Sequence, residues 1–380
     1  MAKFDTQLLH FPGDDQIDQG SKTTPIYQTS AFTNKSLEEL ESFYTGDKRY
    51  LYTRIDNPNT NELGRAVAAL EGAPVGVATS SGMSAILVGF LACLKPGDHL
   101  VACEDLYGGT YQLITEELAE WGIESTLVDF TNPKKIEEAI RPTTKLIFSE
   151  SITNPLLRVE DIEQVVQLAK KHQLISMIDN TFATPYLRQP FLQGVDLVVH
   201  SGTKYIGGHS DVTAGILVGR EDLMARAKNK AVHLGTNLGP FDAWLACRGL
   251  KTLSVRMERH LKNAAQVAQY FKQRPEIKKV YYPDQVHEKG ASPIVTFELD
   301  PSKVDLSRFF KSLSWIKIIA TLAGVETSVS HSTTTSHRAI PKEQCEKLGI
   351  NQYTIRASIG IEDIDDIIKA FEQALLNSAI

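Results

Sequence analysis

The 380-residue chain has few cysteines, little net charge and no apolar stretch long enough to cross a bilayer, and each shortage excludes something. Cys93, Cys103, Cys247 and Cys345 are too widely spaced for a zinc signature and too few for a disulfide framework in a chain of this length. Cys93 and Cys103 stand among apolar neighbours and read as small core residues, so no metal site is expected. A formal net charge of -6, spread along the chain, gives no long-range attraction to nucleic acid or to an anionic membrane, and neither is an expected partner. The opening Met1-Ala2-Lys3-Phe4-Asp5 lacks the apolar region of a secretory signal, and the apolar run ending at Cys93-Leu94 is short and glycine-interrupted. The expected location is cytoplasmic.

What the chain does have is an ordinary globular composition, 42% hydrophobic and 23% charged, with enough length for two domains. Residues 1–60 are rich in Tyr, Thr, Asn and Pro but poor in periodicity, and read as an arm lying across the next domain or a neighbouring subunit. From 61 to 240, short apolar strands alternate with helical segments. Examples are His99–Cys103, Lys145–Ser149, Leu174–Ile178 and the run ending at His200. That alternation predicts βαβ units and a mainly parallel sheet covered on both faces, with ligands at the carboxyl ends of its strands. A long helical run over 241–271 leads into a smaller α+β domain, 241–380, with strands near 294–299 and 353–358. No internal repeat or low-complexity tract is visible.

Four features fall at strand ends of the larger predicted sheet. In Ser201-Gly202-Thr203-Lys204 a strand stops at small hydroxyl residues and presents a lysine, which suits an imine with a carbonyl cofactor as well as it suits plain solvation. Ser80-Ser81-Gly82-Met83-Ser84 opens a helix whose free amides favour an anion; an ordinary N-cap is the alternative. Tyr107, in a loop between strand and helix, can cover a planar ring or simply pack. Asp179 ends an apolar strand, where a carboxylate calls for a cation such as a protonated pyridine, or else caps a helix or pairs with a core arginine. Taken together and in this order, the four point to pyridoxal phosphate, whose ring acts as an electron sink.

The chain also resembles, nearly end to end, the cysteine and methionine metabolism family of pyridoxal-phosphate enzymes, which includes cystathionine γ-lyase, cystathionine β-lyase, cystathionine γ-synthase and methionine γ-lyase. The stretches that carry the resemblance include Tyr52-Thr53-Arg54, Ser81-Gly82-Met83, Asp105–Thr110, Thr153-Asn154-Pro155, Ile178–Thr181, His200–Gly207, Pro240–Trp244 and Ile355–Asp363. The resemblance implies the type I fold of PLP-dependent transferases and a catalytic pair, Lys204 and Tyr107. It implies that Gly82, Met83, Ser201 and Thr203 hold the phosphate, that Asp179 pairs with the ring nitrogen, and that Tyr52 and Arg54 reach the phosphate of a neighbouring subunit. Arg356 and Asn154 then meet the substrate carboxylate, with Glu326 a candidate for its far end. A homotetramer built from dimers with shared sites follows from the same likeness.

Some positions depart from the family pattern. Leu51 and Ile55 are apolar where charged residues are usual, Asp56 replaces glycine, and the polar run 328–337 replaces a more apolar segment. The activity the resemblance implies is γ-elimination of cystathionine to cysteine, 2-oxobutanoate and ammonia, with β-elimination as a second activity and β-lyase or γ-synthase as alternatives. Two rivals from other classes are a non-catalytic sensor of an amino acid or of pyridoxal phosphate, and a nucleotide-binding enzyme. The first lacks an attached DNA-binding segment, and the second lacks a phosphate-loop lysine motif.

Overall fold

A computed structural model describes residues 3–10, 20–46 and 50–380. The parts of the expected arm at 1–2, 11–19 and 47–49 lie outside the described residues. Seven strands form the larger sheet: β1 (Val75–Thr79), β2 (His99–Cys103), β3 (Glu124–Val128), β4 (Thr144–Glu150), β5 (Ile175–Asp179), β6 (Leu197–Ser201) and β7 (Gly215–Gly219). Their order is β1-β7-β6-β5-β4-β2-β3. β7 runs antiparallel to both its neighbours and every other pair is parallel, so the mainly parallel sheet read from the sequence is present. Runs such as Leu146-Ile147-Phe148 and Leu197-Val198-Val199 are apolar without alternation because helices cover both faces. β7 escaped the sequence reading. The chain turns back after the lysine loop, placing Gly215 opposite Ser201, and so adds an antiparallel strand where the sequence reading assigned no element.

The smaller sheet contains β8 (Ile277–Tyr281), β9 (Ile294–Leu299), β10 (Lys317–Ile318), β11 (Ser328–His331) and β12 (Thr354–Ser358), in the order β10-β11-β12-β9-β8. It is antiparallel apart from the β10–β11 pair. Phe271, Phe297, Phe309 and Phe371 fill its core, with the Phe271 ring 4.5 Å from Phe297 and 5.0 Å from Phe371.

The helical run expected over 241–271 is two helices, Pro240–Leu250 and Leu253–Lys272, interrupted at Lys251-Thr252. The second helix belongs to both cores. Leu253, Met257 and Leu261 pack into the larger one, and Ala264, Val267, Ala268 and Phe271 into the smaller. Between these halves, His260 Nδ1 donates to Ile359 O at 2.6 Å, and Asn263 Nδ2 donates to Gly360 O and Glu362 O at 3.0 and 2.9 Å. The backbone just beyond β12 is thereby tied to the helix.

Described parts of the arm lie on the chain's own helices. Thr24 Oγ1 donates to Glu62 at 2.7 Å, Asn59 Nδ2 donates to Pro25 O at 2.8 Å, and Trp244 Nε1 donates to Thr24 O at 3.0 Å.

Candidate active site

Because β1, β2, β4, β5 and β6 all run the same way, their carboxyl ends share one edge of the sheet, and a cavity opens there. After β1, Ser81 caps the helix Gly82–Cys93, its hydroxyl accepting from Ser84 N at 3.1 Å. The N-cap reading of this segment therefore holds, and it leaves the amides of the first turn without intrahelical acceptors. A Cβ on Gly82 would fall 2.7 Å from the Cβ of Ser201, so only glycine lets the helix start come this close to the end of β6. Ser201 and Thr203 line the same wall.

Two carboxylates stand at neighbouring strand ends, since Glu150 of β4 is the register partner of Asp179 of β5. Asp179 Oδ1 accepts from Thr181 N at 2.9 Å and from Thr181 Oγ1 at 2.5 Å. Confinement away from water raises the Asp179 pKa against these bonds, which favour the charged form. Among the described residues no arginine or lysine pairs with it. Glu150 is raised well above the ordinary carboxylate range, first by burial and then by the nearby Asp179. A cation placed between the two acids would favour both carboxylates at once.

Lys204 Nζ donates to Thr321 Oγ1 at 2.7 Å. Burial, followed by the field of Arg356, lowers its pKa to about 8, so its neutral amine is accessible near physiological pH. Arg356 reaches in from β12 and is only 2% exposed. Its Nη1 donates to Asn154 Oδ1 at 2.8 Å and its Nη2 to Thr321 O at 3.3 Å, while its buried Nε has no partner among the described residues. Burial pushes its pKa down to about 10, still cationic at neutral pH. Tyr107, at the tip of the loop after β2, faces the cavity and is 40% exposed.

The structure thus gathers Gly82, Met83, Tyr107, Asn154, Asp179, Ser201, Thr203, Lys204 and Arg356 around one space. Three residues lie elsewhere in the single chain. Tyr52 and Arg54 are exposed and stack, with the guanidinium carbon 5.5 Å from the ring centroid, and Arg54 Nη1 donates to Val232 O at 3.0 Å. Arg54 lines a second cavity together with Asp56, Arg65 and Lys228. Glu326 pairs with Lys317 at 2.8 Å and is not among the residues lining the Lys204 cavity. Of the polar run 328–337, Ser336 lines the cavity.

Sequence reasoning missed Thr321 and Glu150. No local pattern announces Thr321, which meets Lys204 across 117 positions of chain. Glu150 did carry a signal, an acid closing an apolar strand, the same one that singled out Asp179.

This set of donors suits a phosphorylated pyridine aldehyde. Open helix amides and two hydroxyls can take the phosphate, a carboxylate can meet the ring nitrogen, and an amine lines the same cavity. The Cys/Met metabolism PLP-dependent enzyme family model matches residues 5–376. Cystathionine β-lyase MetC of Bacillus subtilis (strain 168) is 40% identical, over 98% of this chain and 96% of that protein. A cystathionine γ-lyase structure from Lactobacillus plantarum, complexed with L-serine, covers 100% of both chains at 36% identity with a TM-score of 0.93. The structure of a putative O-acetylhomoserine (thiol)-lyase from Campylobacter jejuni, which contains a pyridoxyl-lysine phosphate, superposes at a TM-score of 0.91 with 31% identity, over 99% of this chain and 100% of that one. With the matching fold, these likenesses identify the chain as a member of the Cys/Met metabolism family of PLP-dependent enzymes, whose relatives here are carbon–sulfur lyases.

Proposed function

We propose that this protein cleaves cystathionine by γ-elimination, giving cysteine, 2-oxobutanoate and ammonia, with β-elimination to pyruvate as a second activity. The observation that carries this reading is the convergence of the Lys204 amine, the Asp179 carboxylate, the Tyr107 ring and the Arg356 guanidinium on one cavity. The first amides of the helix Gly82–Cys93, with the hydroxyls of Ser201 and Thr203, would hold the cofactor phosphate. Asp179 would keep the ring nitrogen protonated, and Tyr107 would cover the ring face. When bound, the cofactor supplies an electron sink for the charge left at the substrate Cα.

Arg356 and Asn154 bind the substrate α-carboxylate, a task suited to the planar two-pronged guanidinium. Burial leaves Lys204 Nζ basic enough to take a proton yet neutral in a large fraction of molecules near pH 8, which suits a general base at Cα and then at Cβ. Thr321 Oγ1 holds that amine in place. The Tyr107 hydroxyl serves as a second acid or base. Tyr52 and Arg54, remote from the cavity of their own chain, would serve the phosphate site of a neighbouring subunit in a tetramer of paired dimers.

The γ choice is supported by the L. plantarum γ-lyase likeness over both full chains, and β-elimination by the 40% identity to a β-lyase. Incubation of purified protein with cystathionine, followed by separation of the keto acids, tests the choice. 2-Oxobutanoate is expected to predominate, and pyruvate alone would overturn the γ assignment. Cysteine supplied with an O-acylated homoserine should yield no net cystathionine; its accumulation would mark a γ-synthase instead.

A further inference from the structure

Glu150 is 5% exposed and makes its bonds to main chain. Oε1 accepts from Tyr107 N at 2.7 Å and Oε2 accepts from Asn154 N at 3.1 Å. The two amides belong to different loops, one after β2 and one after β4, and both loops send the side chain of the bonded residue into the cavity. Asn154 in turn holds Arg356. In the cofactor-loaded protein a cation beside Asp179 would favour ionisation of both acids. A carboxylate is then the one side chain of this shape that offers an acceptor, and no donor, at both ends of its fork. Burying it beside Asp179 is unfavourable, so packing alone would be served better by an apolar residue.

We propose that Glu150 is a positioning residue, a carboxylate clamp that joins the Tyr107 and Asn154 loops and so sets Asn154 and Arg356 to receive an amino-acid carboxylate. The clamp rests on the lyase reading given above. It acts through Asn154, whose amide nitrogen it holds while Asn154 Oδ1 aligns the guanidinium. Replacing the carboxylate with an amide would set an NH2 group against one of the two backbone N–H donors and release that loop.

The test uses the full-length, cofactor-loaded protein and its Glu150→Gln variant. Two unreactive probes, L-alanine and ethylamine, are titrated while the visible absorption of the bound cofactor is followed. The variant is expected to keep its visible band at wild-type stoichiometry and to bind L-alanine about tenfold more weakly or worse, as for a disturbed hydrogen bond to a charged group. Ethylamine, which has no carboxylate, should bind both proteins equally. Equal weakening of both probes would reduce Glu150 to general structural support, and unchanged L-alanine binding would remove the clamp altogether. In a double-mutant cycle, Glu150→Gln should add little to Asn154→Ala, because both act on one contact; full additivity also counts against the proposal. Should Glu150→Gln not fold, Glu150→Asp, which keeps the charge but is too short to reach both amides, is read with the same probes. A wild-type protein without a visible band would instead defeat the cofactor reading from which the clamp follows.

Discussion

Along the larger sheet, five parallel strands end on one edge and each delivers a residue to the cavity: Gly82 after β1, Tyr107 after β2, Glu150 on β4, Asp179 on β5 and Ser201 on β6. In the smaller sheet most neighbouring strands run in opposite directions, and their ends are shared between two edges. It meets the cavity with Arg356 from the middle of β12, and with Thr321 and Ser336 from connecting segments. Parallel pairing therefore concentrates polar and ionisable groups at one edge, whereas the antiparallel layer supplies a packed wall that brings one buried guanidinium to the cavity. The two layers meet across the cavity, where Asn154 bonds Arg356 and Lys204 bonds Thr321.

The largest effect that can break this contrast comes from the lysine. Lys204→Ala should reduce turnover by about a thousandfold or more and abolish the borohydride-reducible visible band, while far-ultraviolet circular dichroism stays native; retained full activity would remove Lys204 from the chemistry. In the smaller sheet the reverse is expected. Phe297→Ala, at the centre of the aromatic cluster, should cost about 3–5 kcal/mol in urea unfolding and leave turnover per folded, cofactor-loaded molecule unchanged. A loss of turnover without loss of stability would erase the distinction.

Asp105 sharpens the cost of placing acids near the strand ends. Burial raises its pKa to about 6 from 3.8, against a 2.5 Å bond from Thr153 Oγ1, and its Oδ1 has no partner among the described residues. A carboxyl whose folded pKa is raised binds its proton more tightly in the folded state. Its stabilising contribution is complete below about pH 4 and is lost as pH rises towards 6. The loss is on the order of 3 kcal/mol, from about two units at 1.36 kcal/mol each. Asp105→Asn should therefore gain stability relative to wild type between pH 4 and pH 7 in paired urea titrations, and a pH-independent difference would contradict the raised pKa. Arg356→Ala should raise KM for cystathionine about tenfold to a hundredfold, by loss of a charged hydrogen-bond partner. An unchanged KM would detach the smaller sheet from substrate recognition.

The larger sheet was legible because its strands are apolar runs cut by hydroxyl, glycine and acidic residues, and the cut points are where the site lies. Asp179 and Lys204 could be singled out because a charge closing an apolar strand stands out in the sequence itself. The same pattern at Glu150 drew no attention, because its partners are backbone amides, which no side-chain pattern encodes. Thr321 was invisible for a different reason, since its contact with Lys204 exists only once the two sheets are packed. β7 was missed because glycine at both ends of Gly215–Gly219 obscured a strand whose pairing comes from β6 and β1 on either side. Glu326 was a candidate through the family resemblance, but its contact with Lys317 on β10 was set by the fold.

The helix Leu253–Lys272 is embedded at one end in each core and, midway, grips the backbone that follows β12. Swinging one sheet against the other would require bending this rod and breaking the His260 and Asn263 bonds together. The span between Arg356 and Lys204 therefore rests on one continuous helix. Under the proposed role of Arg356, a ligand that bridges the two would spend little of its binding energy on drawing the layers together.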